Sequence, residues 1–188
     1  MSEKQVLIAY ATRYGSTRVT ANDIMKKLID KGVSVDIVDL KTTKKRKWPS
    51  AEAYNVVLIG SSIMMGKWMG EAKKFISRNQ NELKKTGLGL FVSCGLTLED
   101  PAKAREEYIQ DFSSEKNIRP DVSGIFAPCV DLTEDSDLGM IKKGILRATI
   151  QEMVKDRDDM EITETEICDL RNAAKIGSFV DEIVSILE

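Results

Sequence analysis

The sequence predicts an α/β fold in which a parallel sheet of five strands is covered by helices on both faces. Short, almost uninterrupted apolar segments, typical of strands buried on both faces, alternate with amphipathic segments of helical period. The 188 residues are 42% hydrophobic, which is enough for a sizeable core. Because neither an internal repeat nor a low-complexity linker divides the chain, we expect residues 1–188 to form a single domain.

Five segments have the composition of strands. Most are continuous apolar runs, whereas the second alternates apolar and polar residues, which is typical of an edge strand. The predicted strands are Lys4–Tyr10, Val33–Leu40, Asn55–Gly60, Leu88–Cys94 and Gly124–Cys129.

Helices are predicted between the strands and at the C-terminus. Ser16 or Thr17 can cap the start of the first helix, and Gly32 suits its end. The last helix carries apolar residues at spacings of three, four and seven, which places one face on the sheet. The predicted helices are Ser16–Lys31, Met69–Leu83, Pro101–Glu115, Met140–Val154 and Arg171–Leu187.

Composition excludes several kinds of function. The net charge of −2 argues against a general nucleic-acid binder. No apolar run approaches the ~18 residues of a membrane span, and the N-terminal run is too short for a cleavable signal. The cysteines Cys94, Cys129 and Cys168 are widely spaced and odd in number, which fits a reducing cytoplasm rather than a disulfide scaffold or a zinc site. Because histidine is absent, redox or group-transfer chemistry must come from a cofactor or from other polar side chains.

A polar loop, TRYGST, follows the first predicted strand and opens the first helix. Backbone N–H groups at a helix N-terminus bind anions, and the hydroxyls of Thr12, Ser16 and Thr17 can add donors to phosphate oxygens. Gly15 lets the backbone come close to such a ligand. ATP or GTP hydrolysis is disfavoured because the loop lacks the lysine of GxxxxGK[ST], and no GxGxxG follows a strand. An ordinary capped turn between strand and helix is the alternative.

A second loop, GSSIMMGKW, begins at the end of the third predicted strand. In a sheet of order 2-1-3-4-5, strands one and three flank the topological switch point, where ligands bind at the carboxyl ends of the strands. The two loops are therefore expected to meet in one crevice. Met64 and Met65 offer apolar side chains to a flat ring, with core packing as the alternative. Trp68 is expected to pack between helix and sheet more readily than on such a ring.

These loops resemble those of the flavodoxin-like family. ATRYGST is similar to the family's T-x-T-G-x-T phosphate motif, with Tyr14 at the central threonine, and GSSIMMGKWMGEAKKFI resembles the branch of menaquinone-dependent protoporphyrinogen oxidases. The resemblance covers nearly the whole chain, including the closing ICDLRNAAKIGSFVDEIVSIL. It implies a flavodoxin-like three-layer sandwich, a five-stranded parallel sheet of order 2-1-3-4-5, and FMN bound non-covalently.

The resemblance also implies the residues of the FMN site. The phosphate is expected at Thr12–Thr17, and the isoalloxazine between the loop Ser61–Gly66 and a third loop, Ser93–Thr97. We expect no catalytic side chain and no metal, because the flavin supplies the chemistry. The predicted cofactor-binding residues are Thr12, Arg13, Tyr14, Gly15, Ser16, Thr17, Ser61, Ser62, Ile63, Met64, Met65, Gly66, Ser93, Cys94, Gly95, Leu96 and Thr97.

Two functions follow from the resemblance. Electron-carrying flavodoxins usually place a tyrosine in the third loop to cover one flavin face, whereas no aromatic residue lies between Phe91 and Tyr108 here. An open face would admit a quinone or a small aromatic substrate, which favours an FMN-dependent oxidoreductase resembling protoporphyrinogen oxidase. The alternative is a flavodoxin-type electron carrier between redox proteins. A second subunit could also cover that face, so a homodimer stays open.

Two charged segments leave the question of partners open. The run Lys41–Trp48 holds five basic residues and is expected to be a solvated loop, with docking of an acidic partner or of anionic lipid as the alternative. The protoporphyrinogen oxidases carry a basic, aromatic-rich insertion near the last strand. The corresponding segment here begins with acidic residues within 134–138 and has no aromatic residue. Its helix carries Lys142, Lys143 and Arg147, so peripheral membrane contact is left open.

Overall fold

Five parallel strands form the centre of the computed structural model, which describes residues 4–133, 139–155 and 167–188. Their order, β2-β1-β3-β5-β6, is the predicted order 2-1-3-4-5. A sixth short strand, β4, pairs antiparallel with the end of β3 and was not predicted. The strands are β1 (Gln5–Ala11), β2 (Ser34–Asp39), β3 (Val56–Met64), β4 (Lys67–Trp68), β5 (Gly87–Ser93) and β6 (Val122–Phe126).

Helices cover both faces of this sheet, which confirms the predicted three-layer arrangement. Helices α2, α4 and α5 pack on one face, and α1 and α7 pack on the other. Residues Glu106–Asp111 form a π-helical segment between α4 and α5, so the predicted charged helix is continuous in space. The helices are α1 (Ser16–Asp30), α2 (Gly70–Arg78), α3 (Leu96–Glu99), α4 (Pro101–Arg105), α5 (Phe112–Lys116), α6 (Met140–Val154) and α7 (Ala173–Leu187).

The two faces of the sheet belong to two separate hydrophobic cores, because side chains alternate between the faces along each strand. In β1, Leu7 and Ala9 join the core under α2, whereas Val6 and Ile8 join the core under α1 and α7. All four side chains are fully buried. This burial on both faces explains why the strand reads as a continuous apolar run.

A small additional unit follows β6. Strands β7 (Cys129–Asp131) and β8 (Ile167–Asp169) form an antiparallel ribbon, and α6 packs beside them in a third apolar cluster. The prediction that the fifth strand runs to Cys129 was wrong, because β6 ends at Phe126 and Cys129 starts the ribbon. The acidic segment 134–138 lies outside the described residues.

The second predicted helix was too long. It ends at Arg78 rather than Leu83, and the amide side chain of Asn79 explains the stop. That buried amide accepts a hydrogen bond from the Ala51 N–H at 3.0 Å and donates one to the Phe75 carbonyl at 3.0 Å. Asn79 therefore fixes the loop before β3 to the end of α2.

A cluster of three aromatic rings fills the core between the sheet and α7. The ring centroids of Phe91, Phe126 and Phe179 lie 5.7–6.4 Å apart in edge-to-face arrangements. Phe91 fits only because its neighbour in β3 is glycine: a Cβ on Gly60 would lie 2.2 Å from the ring. Gly60 thus sets the packing just before the strand reaches the carboxyl edge of the sheet.

We expect Gly60→Ala to lower the free energy of unfolding by about 1–3 kcal/mol, because the added methyl overpacks the Phe91 ring. Gly144→Ala is the matched control, since its Cβ position in α6 meets open space apart from the backbone of its own helix, among the described residues. That control should instead be neutral or stabilising by up to about 1 kcal/mol through helix propensity. Urea unfolding measures both, and equal effects would contradict the close packing at Gly60.

Candidate functional site

The three predicted loops lie side by side at the carboxyl edge of the sheet. Ala11 is in register with Ser61, and Ser62 is in register with Ser93, so β1, β3 and β5 end together. The backbone N–H of Arg13 donates to the Ser62 hydroxyl at 2.9 Å, which joins the first loop to the end of β3. The ends of β1, β3 and β5 therefore lie together at the topological switch point, where ligands bind in open α/β sheets.

The N-terminus of α1 carries no side-chain cap. Its N-cap residue is Gly15, which has a left-handed backbone with φ of 92° and no side chain that could accept from the first-turn N–H groups. The prediction that Ser16 or Thr17 caps the helix was wrong, because both residues already lie inside its first turn. N–H groups in the first turn of a helix have no intrahelical acceptor, and the start of a helix favours an anion.

Each hydroxyl of the first loop has a different role. Thr12 Oγ1 accepts from the Gly15 N–H at 3.0 Å and shapes the turn. Ser16 Oγ accepts from the Cys129 N–H at 2.9 Å and thus binds the β7–β8 ribbon. Thr17 Oγ1 is fully buried and has no hydrogen-bond partner among the described residues. An unpaired buried hydroxyl is unfavourable, so Thr17 is the best candidate to bind a ligand oxygen. Arg13 is exposed and Tyr14 half-buried.

The second loop is a tight β-hairpin rather than an irregular loop. Ser61–Met64, predicted as loop residues, belong to β3, and β4 begins at Lys67. Met65 and Gly66 form the two-residue turn with φ of 50° and 71°, as a type I′ turn requires. The Met65 residue is 96% exposed, although methionine is apolar. Its backbone also adopts a left-handed conformation, which favours glycine or asparagine over methionine.

Buried hydroxyls hold the base of this hairpin. Ser61 Oγ donates to the Ser62 carbonyl at 2.8 Å and accepts from the Met69 N–H at 2.9 Å. Ser61 is therefore a structural residue of the hairpin, whereas the side chains of Ile63 and Met64 are half-buried.

Trp68 packs inside the protein, as the sequence favoured. Its ring stacks on Phe112 with centroids 4.1 Å apart and an interplanar angle of 2°. Its indole N–H donates to the Tyr108 carbonyl at 2.8 Å, within the π-helical segment. Trp68 thus fixes the hairpin to the long helix of α4 and α5, and its ring is buried.

The third loop turns directly from β5 into α3. Ser93 Oγ is buried and has no hydrogen-bond partner among the described residues. Cys94 Sγ lies 3.2 Å from Thr97 Oγ1, and the Cys94 N–H donates to the Phe126 carbonyl. Burial raises the pKa of the Cys94 thiol, so Cys94 is protonated at neutral pH and is a poor nucleophile. Gly95 and Leu96 are half-buried beside it.

Sequence reasoning missed the contribution of the segment after β6. The Cys129 N–H contacts Ser16 across 113 residues of chain, and Arg171 contacts Thr20 across 151 residues. No local motif marks either residue, because both contacts depend on how the ribbon docks on α1.

The basic run Lys41–Trp48 is anchored by its aromatic end. Trp48 is buried, lies 6.0 Å from Phe75 between ring centroids, and donates to the Thr43 carbonyl. The five basic side chains are exposed, so docking through them stays a prediction. Within the described ranges, no helix is long and apolar enough to cross a membrane, and no three acidic, cysteine or histidine side chains cluster as a metal site.

A comparison with protein families identifies the fold family. The family model described as the flavodoxin domain matches residues 7–161. The chain belongs to this family. It is also 26% identical over 126 residues to protoporphyrinogen IX dehydrogenase [quinone] of Escherichia coli strain K12, covering 65% of this chain and 67% of that protein. These findings confirm the predicted resemblance to the flavodoxin-like family and its protoporphyrinogen oxidase branch.

Solved structures with similar folds are more distant. Megasphaera elsdenii flavodoxin is 22% identical with a TM-score of 0.49, covering 64% of this chain and 84% of that one. A flavoprotein in complex with FMN from Lactobacillus acidophilus NCFM is 15% identical with a TM-score of 0.49, covering 65% and 93%. Rubredoxin oxygen:oxidoreductase of Desulfovibrio gigas is 11% identical with a TM-score of 0.48. The match covers 82% of this chain, which spans only 36% of that protein.

The hairpin turn makes a testable prediction about stability. Met65→Asn should raise the free energy of unfolding of the cofactor-free protein by about 1 kcal/mol, because asparagine tolerates the left-handed conformation that strains methionine. Met64→Asn is the control, since its backbone is ordinary β-strand and the change should destabilise. A loss of stability in both variants, measured by urea unfolding, would contradict strain at Met65.

Proposed function

We propose that this chain binds FMN non-covalently in the crevice at the ends of β1, β3 and β5, and that it is an oxidoreductase acting with a quinone or a small aromatic substrate. Family membership supports a flavin-dependent redox function. The curated relative supports the choice of a quinone-linked enzyme. The bound FMN would supply the redox chemistry, and the residues of this chain would bind and orient it.

The N-terminus of α1 is the observation that carries the proposal. Its uncapped N–H groups and the unpaired Thr17 hydroxyl form a donor set that fits a terminal phosphate. Thr12 and Gly15 would shape the loop around it, and Arg13 would add a positive charge from its exposed position. Because Thr17 has no exposed surface, contact between its hydroxyl and a phosphate would require a local rearrangement.

The ring of the cofactor would lie between the hairpin and the third loop. The exposed Met65 side chain and the backbone groups of the Met65–Gly66 turn would contact one side of the ring. Ser93, whose hydroxyl has no partner among the described residues, and the turn into α3 would contact the other. Two of the buried hydroxyls without a partner among the described residues, those of Thr17 and Ser93, thus belong to residues assigned to the cofactor, whereas a third, Ser113, lies in α5.

Access to the ring supports an enzyme over a carrier. The third loop, Ser93–Thr97, contains no aromatic side chain that could cover a flat ring, and Tyr108 is buried in the π-helical segment. A carrier between redox proteins remains the second candidate, because the flavodoxin family includes such carriers.

We expect Thr17→Val to weaken FMN binding about tenfold to a hundredfold while changing riboflavin binding little, because a lost hydrogen bond to a charged group costs about 1.5–3 kcal/mol. Thr86→Val is the matched control, since Thr86 precedes β5 at the opposite end of the sheet. Fluorescence titration of the apoprotein with both flavins gives the dissociation constants. Equal losses for FMN and riboflavin would show that Thr17 acts only through stability.

The choice between enzyme and carrier can be tested directly. The FMN-loaded protein, reduced chemically without oxygen, should be reoxidised by a soluble quinone with saturation kinetics. Placing an aromatic cover in the third loop, as Leu96→Tyr, should lower kcat/KM for the quinone while leaving FMN affinity within about threefold, a difference of well under 1.4 kcal/mol. Reoxidation by a redox protein alone, with no turnover of any quinone, would favour the carrier.

A further inference from the structure

One face of α1 is polar along its first two turns and is covered by the β7–β8 ribbon. Ser16, Thr20 and Asp23 are spaced by four and three residues, so they lie in one stripe along the helix. The Ser16 hydroxyl accepts a hydrogen bond from the Cys129 N–H. Cys129 lies directly opposite Asp169 in the ribbon. The contacts with α1 therefore come from the same end of the ribbon.

Arg171 connects this end of the ribbon to α1. Its guanidinium lies 2.8 Å from the Asp23 carboxylate and 2.7 Å from that of Asp169. The arginine side chain is only 5% exposed. Burial disfavours charge at both Arg171 and Asp169, yet their mutual hydrogen bonds raise the pKa of the arginine and lower the pKa of the aspartate. Both groups are therefore ionised at neutral pH.

A chain of hydrogen bonds leads from Arg171 to the start of the helix. Its Nη1 donates to Thr20 Oγ1 at 3.3 Å, and that hydroxyl donates to the Ser16 carbonyl at 3.3 Å. Ser16 is the first residue of α1 and directly precedes Thr17. The guanidinium thus acts on the same helical turn that carries the proposed phosphate donors.

We propose that Arg171 is a positioning residue for the phosphate end of the cofactor site: by bridging Asp23 and Asp169, it fixes the ribbon against α1 and so sets the orientation of the first-turn N–H groups and of the Thr17 hydroxyl. This inference rests on the proposed function. It assigns the segment after β6 a role in cofactor affinity, although that segment contributes no atom to the predicted site.

Simple stabilisation is a poor explanation for this cluster. A buried arginine between two carboxylates loses hydration that its ion pairs only partly restore, so apolar packing would often stabilise as well. A separate ion pair, Lys31 to Asp181 at 2.9 Å, already joins the far end of α1 to α7. What the Arg171 cluster adds is a directional contact beside the first turn of α1.

The experiment compares the preference for FMN over riboflavin, measured as the ratio of the two dissociation constants on the full-length apoprotein. Arg171→Met and Asp23→Asn should each lower this preference about tenfold, the value of roughly one misaligned hydrogen bond to phosphate. Asp23→Asn keeps the test open if Arg171→Met fails to fold. Two controls should leave the preference unchanged: Lys31→Met breaks the far ion pair, and Val180→Ala destabilises α7 with the cluster intact.

The Asp23 variant also separates positioning from charge. Removing this carboxylate makes the surroundings of the phosphate less negative, so a purely electrostatic role predicts a higher preference for FMN, whereas positioning predicts a lower one. A higher or unchanged preference for FMN in Asp23→Asn overturns the inference. So does a lowered preference that Val180→Ala shows to the same extent, because the loss would then follow from general destabilisation. If the unaltered protein binds neither flavin, the proposed function is wrong and this inference falls with it.

Discussion

The glycine at the N-cap of α1 is the constraint on which the rest of the site depends. Gly15 adopts a left-handed backbone and has no side chain to cap the first-turn N–H groups, which lack intrahelical acceptors. A helix start normally receives such a cap from the side chain of its N-cap residue, and Gly15 has none. Of the hydroxyl residues in the first turn, Ser16 accepts from Cys129 and Thr17 is buried without a partner among the described residues. Within the described residues, the start of α1 thus has features that suit an anionic ligand.

The hairpin of β3 and β4 also contains a locally unfavourable feature next to the candidate site. A two-residue turn with both φ angles positive would favour Asn-Gly, yet Met65 occupies the first position with its side chain in solvent. The surrounding structure holds this turn in place through Ser61 at its base and through Trp68, which stacks on Phe112. Strain at an exposed apolar residue beside the crevice therefore agrees with a role in contacting a ligand.

Local sequence patterns were sufficient to predict the layers of the fold but not the ends of individual helices and strands. The apolar run of β1 and the apolar spacing of α7 predicted the elements and the faces that they bury, because these signals arise from burial in the sheet core. The end of α2 and the break between β6 and β7 were missed, since Asn79 and Cys129 act through contacts with distant residues. The three loops of the site were placed together from strand order alone, whereas the role of each hydroxyl depended on its partner.

The segment after β6 brings the two ends of the chain into contact at α1. The first loop belongs to the segment that starts the sheet, and Arg171 lies just before the last helix. Since α7 packs beside α1 in the same core, docking of the C-terminal segment buries apolar surface and orders the polar stripe at the same time. The apolar burial supplies most of the free energy of this docking, and the ion cluster fixes the orientation of the docked segment. A substitution in the ribbon should therefore alter the geometry at the start of α1 more than the geometry of the sheet, because the sheet is stabilised by its own two cores.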